Sequence, residues 1–300
     1  MIRKPHRPMI CLAICLSAAC CYAEDKALLV GIGKYQIKQA DLPGIEIDLD
    51  AMRRVALAAG FHEENIVVLS DRDATLANFR IVFQREIKRG VSARDRVLIY
   101  FSGHGTQVPD RNGDEKDDID EALMMHDTRR RYSDGEQRLE NVLLDDEFED
   151  LLADIPTNKV LVVIDACHSG TVTRYLSLDG SESREQVPKS FVYDGMPSPS
   201  NMATRDIHDS TSGHYNYVAL TATRDDQLAI ATSDGSVFTT ALSTVVHEAK
   251  QNNSVLTLAE LHEAVVREVR RNVAPERLFT PQLSGDTARA SRTIFVSMDQ

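Results

Sequence analysis

The sequence predicts an α/β protein with a mainly parallel sheet, and two observations carry that prediction. Four short apolar runs, at residues 26–33 (KALLVGIG), 66–69, 97–101 (VLIYF) and 160–164 (VLVVI), lack polar alternation, as strands covered on both faces do. Amphipathic helical stretches at 46–59, 76–89 and 145–153 fall between them, and strand alternating with helix is the order of parallel βαβ units.

Each element follows in turn. The first run exits on glycine, the third breaks off into SGHG, and the fourth into DACHSG, so two strands end abruptly in small polar residues. From Arg174 to about Gly213 periodicity disappears under Ser, Pro, Gly, Asp and Arg, which predicts a flexible linker over 174–213. Beyond it, 217–221 (YVALT) reads as a strand, 237–249 and 258–271 as helices, and 293–296 as a closing strand. This second portion, 214–300, is too small for an independent α/β domain and is expected to complete the sheet begun by residues 24–173.

The first 23 residues stand apart. Arg3, Lys4 and Arg7 precede an apolar run from Met9 to Ala19, and Cys21-Tyr22-Ala23 has the small-x-small form of a cleavage site. This predicts a signal peptide cut after Ala23 and a secreted or periplasmic protein. The run is shorter than the roughly 20 apolar residues of a spanning helix. Cleavage removes Cys11, Cys15, Cys20 and Cys21, which leaves Cys167 as the only thiol and rules out an internal disulfide in the mature chain. With 34 basic and 46 acidic residues the chain carries a net charge of -12, and loses three basic residues with the leader. Such a surface repels nucleic acid and anionic membranes and attracts basic peptides.

The chemistry gathers at the two abrupt strand ends, where a parallel sheet collects functional side chains. His104 lies between Gly103 and Gly105, and Cys167 follows Asp165-Ala166. A thiolate attacks carbonyls, and an imidazole can take its proton and return it to a leaving amine. The backbone amides of Gly105 and Cys167 are the candidates to hold the oxyanion. A lone Cys or His is commonly a core residue, but here both follow apolar strands into glycine-flanked turns. His168 reads as packing or bonding locally, and His126 as a loop histidine.

YFSGHG followed by IDACHSG resembles the peptidase family of caspases and metacaspases, and is closer to metacaspases and their bacterial relatives than to caspases. KALLVGIGKY with LPGIEIDLDAM, and YVALTATRDDQLA with VFTTAL, extend the similarity over nearly all of the mature chain. The resemblance implies a caspase-like three-layer α/β/α sandwich with a six-strand sheet, and an endopeptidase using Cys167 and His104. It also implies an acidic pocket for Arg or Lys made by Asp48, Ser102 and Asp165, where caspases proper place basic residues to accept Asp. Calcium ligands of the family match Asp120, Asp145 and Asp146, while a fourth aspartate is replaced by Arg174. The stretch from Asp110 to Glu121 is acidic but is no EF-hand, since Glu115 stands where the turn needs glycine.

Arg174, Arg184, Lys189 and Arg205 in the linker are candidate self-cleavage points. The readings that compete with an Arg/Lys-specific endopeptidase are a catalytically silent caspase-like interaction module, a calcium-binding structural protein, and a cysteine peptidase of the same fold with another specificity.

Overall fold

The computed structural model describes residues 24–113, 118–133, 135–167, 186–196, 215–224, 227–273 and 279–296. The leader, His168, Arg174, Arg184 and Arg205 lie outside the described residues. Among the described residues no helix is long and apolar enough to cross a membrane.

The strands are β1 (Lys26–Gly31), β2 (Ile66–Ser70), β3 (Val97–Ser102), β4 (Gly105–Pro109), β5 (Ile119–Ser133), β6 (Glu136–Leu144), β7 (Val160–Asp165), β8 (Gln186–Pro188), β9 (Tyr217–Thr221), β10 (Ile230–Thr232), β11 (Leu256–Thr257), β12 (Gln282–Gly285) and β13 (Ile294–Val296). Six of them form the central sheet in the order β12-β9-β7-β3-β1-β2. All neighbours are parallel except β12 on β9. The unbroken apolar runs have the expected cause. Alternate residues of one strand enter two different cores, Leu98 and Tyr100 one and Ile99 and Phe101 the other.

On one face lie α1 (Ile45–Ala58) and the helices Val237–Gln251 and Leu258–Asn272. The last of these opens on a capping box of Thr257 and Glu260. The other face carries α2 (Leu76–Val82), α3 (Asp145–Ala153) and the small antiparallel sheet β4-β5-β6. The three layers and the mainly parallel six-strand sheet are those of the predicted sandwich.

Three details differ from expectation. The helical stretch at 76–89 is α-helical only to Val82 and continues as a wider π-helix, Phe83–Lys88, which keeps Phe83 and Ile87 buried. The sixth strand of the sheet is β12, while the segment expected to close it, β13, pairs with β11 instead. Within the stretch read as a linker, residues 186–196 are seated in the body of the protein. β8 pairs with β10, and Lys189, Ser190, Phe191 and Tyr193 are buried.

Candidate active site

The parallel register brings Ser102 at the end of β3 level with Asp165 at the end of β7. His104 follows two residues after Ser102, and Cys167 two after Asp165. The turn at Gly103 tolerates no side chain, since a Cβ there would lie 2.7 Å from the Tyr35 hydroxyl. That hydroxyl accepts the His104 backbone N–H at 2.9 Å, and the Tyr35 ring packs 5.4 Å from the imidazole.

His104 Nε2 lies 3.0 Å from the Ala40 carbonyl. A carbonyl only accepts, so Nε2 carries the hydrogen and Nδ1 keeps its lone pair. Nδ1 is buried without a hydrogen-bond partner, which is the state a general base must be in. Ala40 is thus the third member that orients the imidazole, and no sequence signal marks it because the group is a backbone carbonyl. His126, expected in a loop, lies instead within β5 and bonds the distant Lys34 carbonyl through Nδ1 at 2.6 Å.

Asp48 enters from the first turns of α1, which starts after Gly44 in the left-handed region at φ 68. A Cβ on Gly44 would lie 2.1 Å from the Thr232 carbonyl, so glycine lets α1 dock against the loop after β10. Asp48 Oδ1 accepts the Ser236 backbone N–H at 2.6 Å, and Oδ2 accepts the hydroxyls of Ser102, at 2.7 Å, and Ser236. Asp165 Oδ2 accepts the Thr239 hydroxyl at 2.6 Å. Asp48, Ser102 and Asp165 therefore share one buried pocket. Ser236 and Thr239, which complete it, come from the carboxy-terminal portion and were not singled out in the sequence.

The pocket is filled by the chain itself. Lys189, fully buried, places Nζ 2.8 Å from Ser102 Oγ, 3.0 Å from Asp165 Oδ1 and 3.3 Å from Asp48 Oδ2. Its carbonyl accepts the amides of Gly105 at 3.0 Å and Cys167 at 3.2 Å, the two groups expected to hold an oxyanion. Its own N–H donates to the Ala229 carbonyl at 2.9 Å. Upstream, Pro188, Val187 and Gln186 run antiparallel to Ile230, Ala231 and Thr232. Downstream, Phe191 N–H donates to the Gly105 carbonyl at 2.9 Å. The segment lies in the cleft as an added strand with a basic side chain in an acidic pocket.

This occupancy sets the electrostatics. Burial pushes the Cys167 thiol up to about 12 and the His104 imidazole down to about 3, the latter helped by the Lys189 ammonium. Both groups are neutral beneath the segment. The thiol accepts the Ala229 N–H at 2.6 Å. Burial also raises the Asp165 carboxyl, with Lys189 pulling the other way.

The candidate calcium residues meet at another corner, at the base of the β5–β6 hairpin. Asp145 and Asp146 open α3 and Asp120 sits on β5. Burial, then Glu121 and Asp146, push Asp145 up to about 8, while burial and Asp110 push Asp120 to about 6. Asp120 Oδ1 is buried without a partner. A hard cation suits such a set chemically. Among the described residues, however, no three acidic, His or Cys side chains are already gathered into a metal cage.

Comparison with known proteins bears on the family and the fold. Residues 24–290 match the family model of the caspase domain of peptidases. Metacaspase-3 of Arabidopsis thaliana is 34% identical over 163 residues, 50% of this chain and 41% of that protein. Metacaspase-1 of Schizosaccharomyces pombe is 24% identical over 88% of this chain and 68% of its own length. The chain covers less than half of the Arabidopsis relative. Among solved structures, protein GSU0716 of Geobacter sulfurreducens superposes with a TM-score of 0.64 at 22% identity, covering 91% of this chain and 99% of that one. Caspase-1 of Spodoptera frugiperda gives 0.51 at 15% identity, covering 88% and 86%; these two likenesses bear on the fold alone. With its central sheet and nearly the whole described chain inside the matched region, this protein belongs to the caspase-domain family of cysteine-type peptidases.

Proposed function

We propose that this protein is an exported cysteine endopeptidase that cuts after Lys or Arg with Cys167 and His104, and that it is made latent, its own Lys189–Ser190 bond being the first substrate. The observation that carries this is the pose of Lys189. Its ammonium meets two carboxylates and a hydroxyl while its carbonyl meets two amide donors. An Arg guanidinium brings the same charge to the same acids.

In the proposed reaction His104 Nδ1 takes the Cys167 proton and the sulfur attacks the Lys189 carbonyl carbon. The oxygen becomes an oxyanion held by the Gly105 and Cys167 amides. The tetrahedral intermediate collapses by breaking the C–N bond, and the His104 proton goes to the Ser190 nitrogen. Water, deprotonated by the same imidazole, then releases the acyl group from sulfur and restores the thiol. Departure of the segment re-exposes the dyad to water, which moves the thiol and imidazole back toward their ordinary values. Calcium, where bound, would sit among Asp120, Asp145 and Asp146 and neutralise their mutual repulsion. The leader predicted at residues 1–23 accounts for export.

Purified wild type and Cys167→Ala, followed by intact mass and amino-terminal sequencing, test the proposal. Wild type is expected to yield a fragment beginning at Ser190 and then to cut peptides after Lys and Arg but not Asp, while Cys167→Ala stays whole and inert. A wild-type chain that stays intact and cuts no peptide, with or without calcium, overturns the proposal in favour of a silent caspase-like module.

A further inference from the structure

Resting on the endopeptidase reading above, we propose that the cleft carries a subsite for an aromatic side chain two residues beyond the cut bond, filled in this chain by Phe191. The substrate class becomes proteins with Lys or Arg, one residue, then Phe or Tyr.

Four contacts define the subsite. The Phe191 N–H donates to the Gly105 carbonyl at 2.9 Å, and its carbonyl accepts the Thr106 hydroxyl at 2.8 Å. Its ring meets the His104 imidazole edge-on, centroids 5.9 Å apart. The Arg130 guanidinium, from the exposed stretch of β5, lies 5.5 Å from the ring centroid. Phe191 is only 6% exposed, as are Ser190 and Tyr193, against 39% for Val192 beside it, and among these it is the ring of Phe191 that the imidazole and the guanidinium meet.

Phe191 is more than a core residue of its own segment, because the groups that hold it belong to the catalytic turn. Gly105 and Thr106 directly follow His104, and Gly105 also donates to the Lys189 carbonyl. Any substrate laid through the cleft in the direction of residues 186–191 puts its own backbone on Gly105 and Thr106 at that position. The side chain there meets one face of the catalytic imidazole and a cation. Both favour an aromatic ring, through edge-to-face packing and the ring quadrupole. Against the imidazole the ring also holds the acid/base in place. Once Lys189–Ser190 is cut, an incoming chain displaces Phe191 and takes its position.

The test uses self-processed wild-type protein and two octapeptides. One is Gln-Val-Pro-Lys-Ser-Phe-Val-Tyr, copied from residues 186–193, and the other has Ala in place of Phe. The Ala peptide is expected to be cut with kcat/KM about tenfold lower, a factor worth ~1.4 kcal/mol, and a Tyr peptide to match the Phe one. Arg130→Ala, on an exposed strand, is expected to narrow the Phe-to-Ala ratio. Equal rates for the Phe and Ala peptides, as a resident Phe191 that never leaves would give, overturn the subsite while leaving cleavage after Lys intact. If neither peptide is cut in a Cys167-dependent way, the endopeptidase reading fails and the subsite with it.

Discussion

Two groups of carboxylates are taken out of water in this molecule, and they are accommodated in opposite ways. Asp48 and Asp165, at the carboxyl ends of the sheet, receive hydroxyls from Ser102, Ser236 and Thr239 and a cation from Lys189. Asp120 and Asp145, at the base of the hairpin, have each other and further acids for neighbours, with only Arg111 working the other way at Asp120, and like Asp165 they are held toward the protonated form. A buried carboxylate needs a cation, donors or a proton. The first pair holds a basic side chain between its carboxylates, whereas at the second, among the described residues, burial and neighbouring acids outweigh the Arg111 guanidinium.

The largest effect should follow from removing the Lys189 cation. In the Cys167→Ala background, which stays uncut, Lys189→Ala leaves two buried acids without a counter-charge and should destabilise the folded chain by about 3–5 kcal/mol in urea unfolding. Lys189→Arg should cost far less. A Lys189→Ala protein as stable as its parent would mean that the pocket opens to water, and the contrast with the hairpin corner would vanish. Removing an acid instead, Asp165→Asn, should lower kcat/KM on Lys and Arg peptides about a hundredfold, since it strips one partner from a buried charge pair. Unchanged cleavage would remove Asp165 from the pocket.

Acid should loosen the closed form next. His104 is held neutral, down to about 3, when the unfolded chain takes up its proton near the ordinary value of 6.5. Between those values the unfolded state binds more protons, so stability falls as pH drops through this window. For Cys167→Ala the loss between pH 7 and pH 4.5 should be about 2–3 kcal/mol. Adding His104→Gln should flatten the curve. A slope that survives this substitution would assign the acid sensitivity elsewhere.

The sheet was legible because its strands are buried on both faces, and Val97–Ser102 and Val160–Asp165 advertise that without alternation. His104 and Cys167 were legible because each follows an apolar strand into a glycine-flanked turn, whereas the acids came only from the family resemblance. The hairpin Ile119–Leu144 was not assigned, though Asp134-Gly135 is a turn signal between two segments that alternate only weakly. Ala40 and Ala229 act through backbone groups, and an alanine carries no chemical signal. The stretch around Lys189 misled for a further reason. Its ordering comes from a cleft assembled out of α1, β3, β7 and β10, and no local pattern in QVPKSF encodes contacts with elements so distant in sequence.

The smallest effect separates the two acidic groups at the hairpin corner. Asp145 holds its proton up to about 8, so raising the pH through that value forces a charge onto a corner already crowded by Glu121 and Asp146. Asp145→Asn keeps the shape of the protonated acid and cannot ionise. The unfolded chain ionises Asp145 near 3.8 while the folded chain holds the proton up to about 8, so the parent loses stability across that window; without calcium Asp145→Asn should match its parent near pH 3 and be more stable by at least about 1 kcal/mol at pH 9. Calcium should reverse the order, since a cation bound by the folded state alone stabilises by up to about 2.7 kcal/mol at a hundred times its dissociation constant. The parent gains that term and Asp145→Asn loses most of it. Thermal melts of both proteins in Cys167→Ala form, with calcium and with chelator, check this. Identical shifts in the two would show that the cation binds away from Asp145 and that the corner, unlike the Lys189 pocket, is no receptor at all.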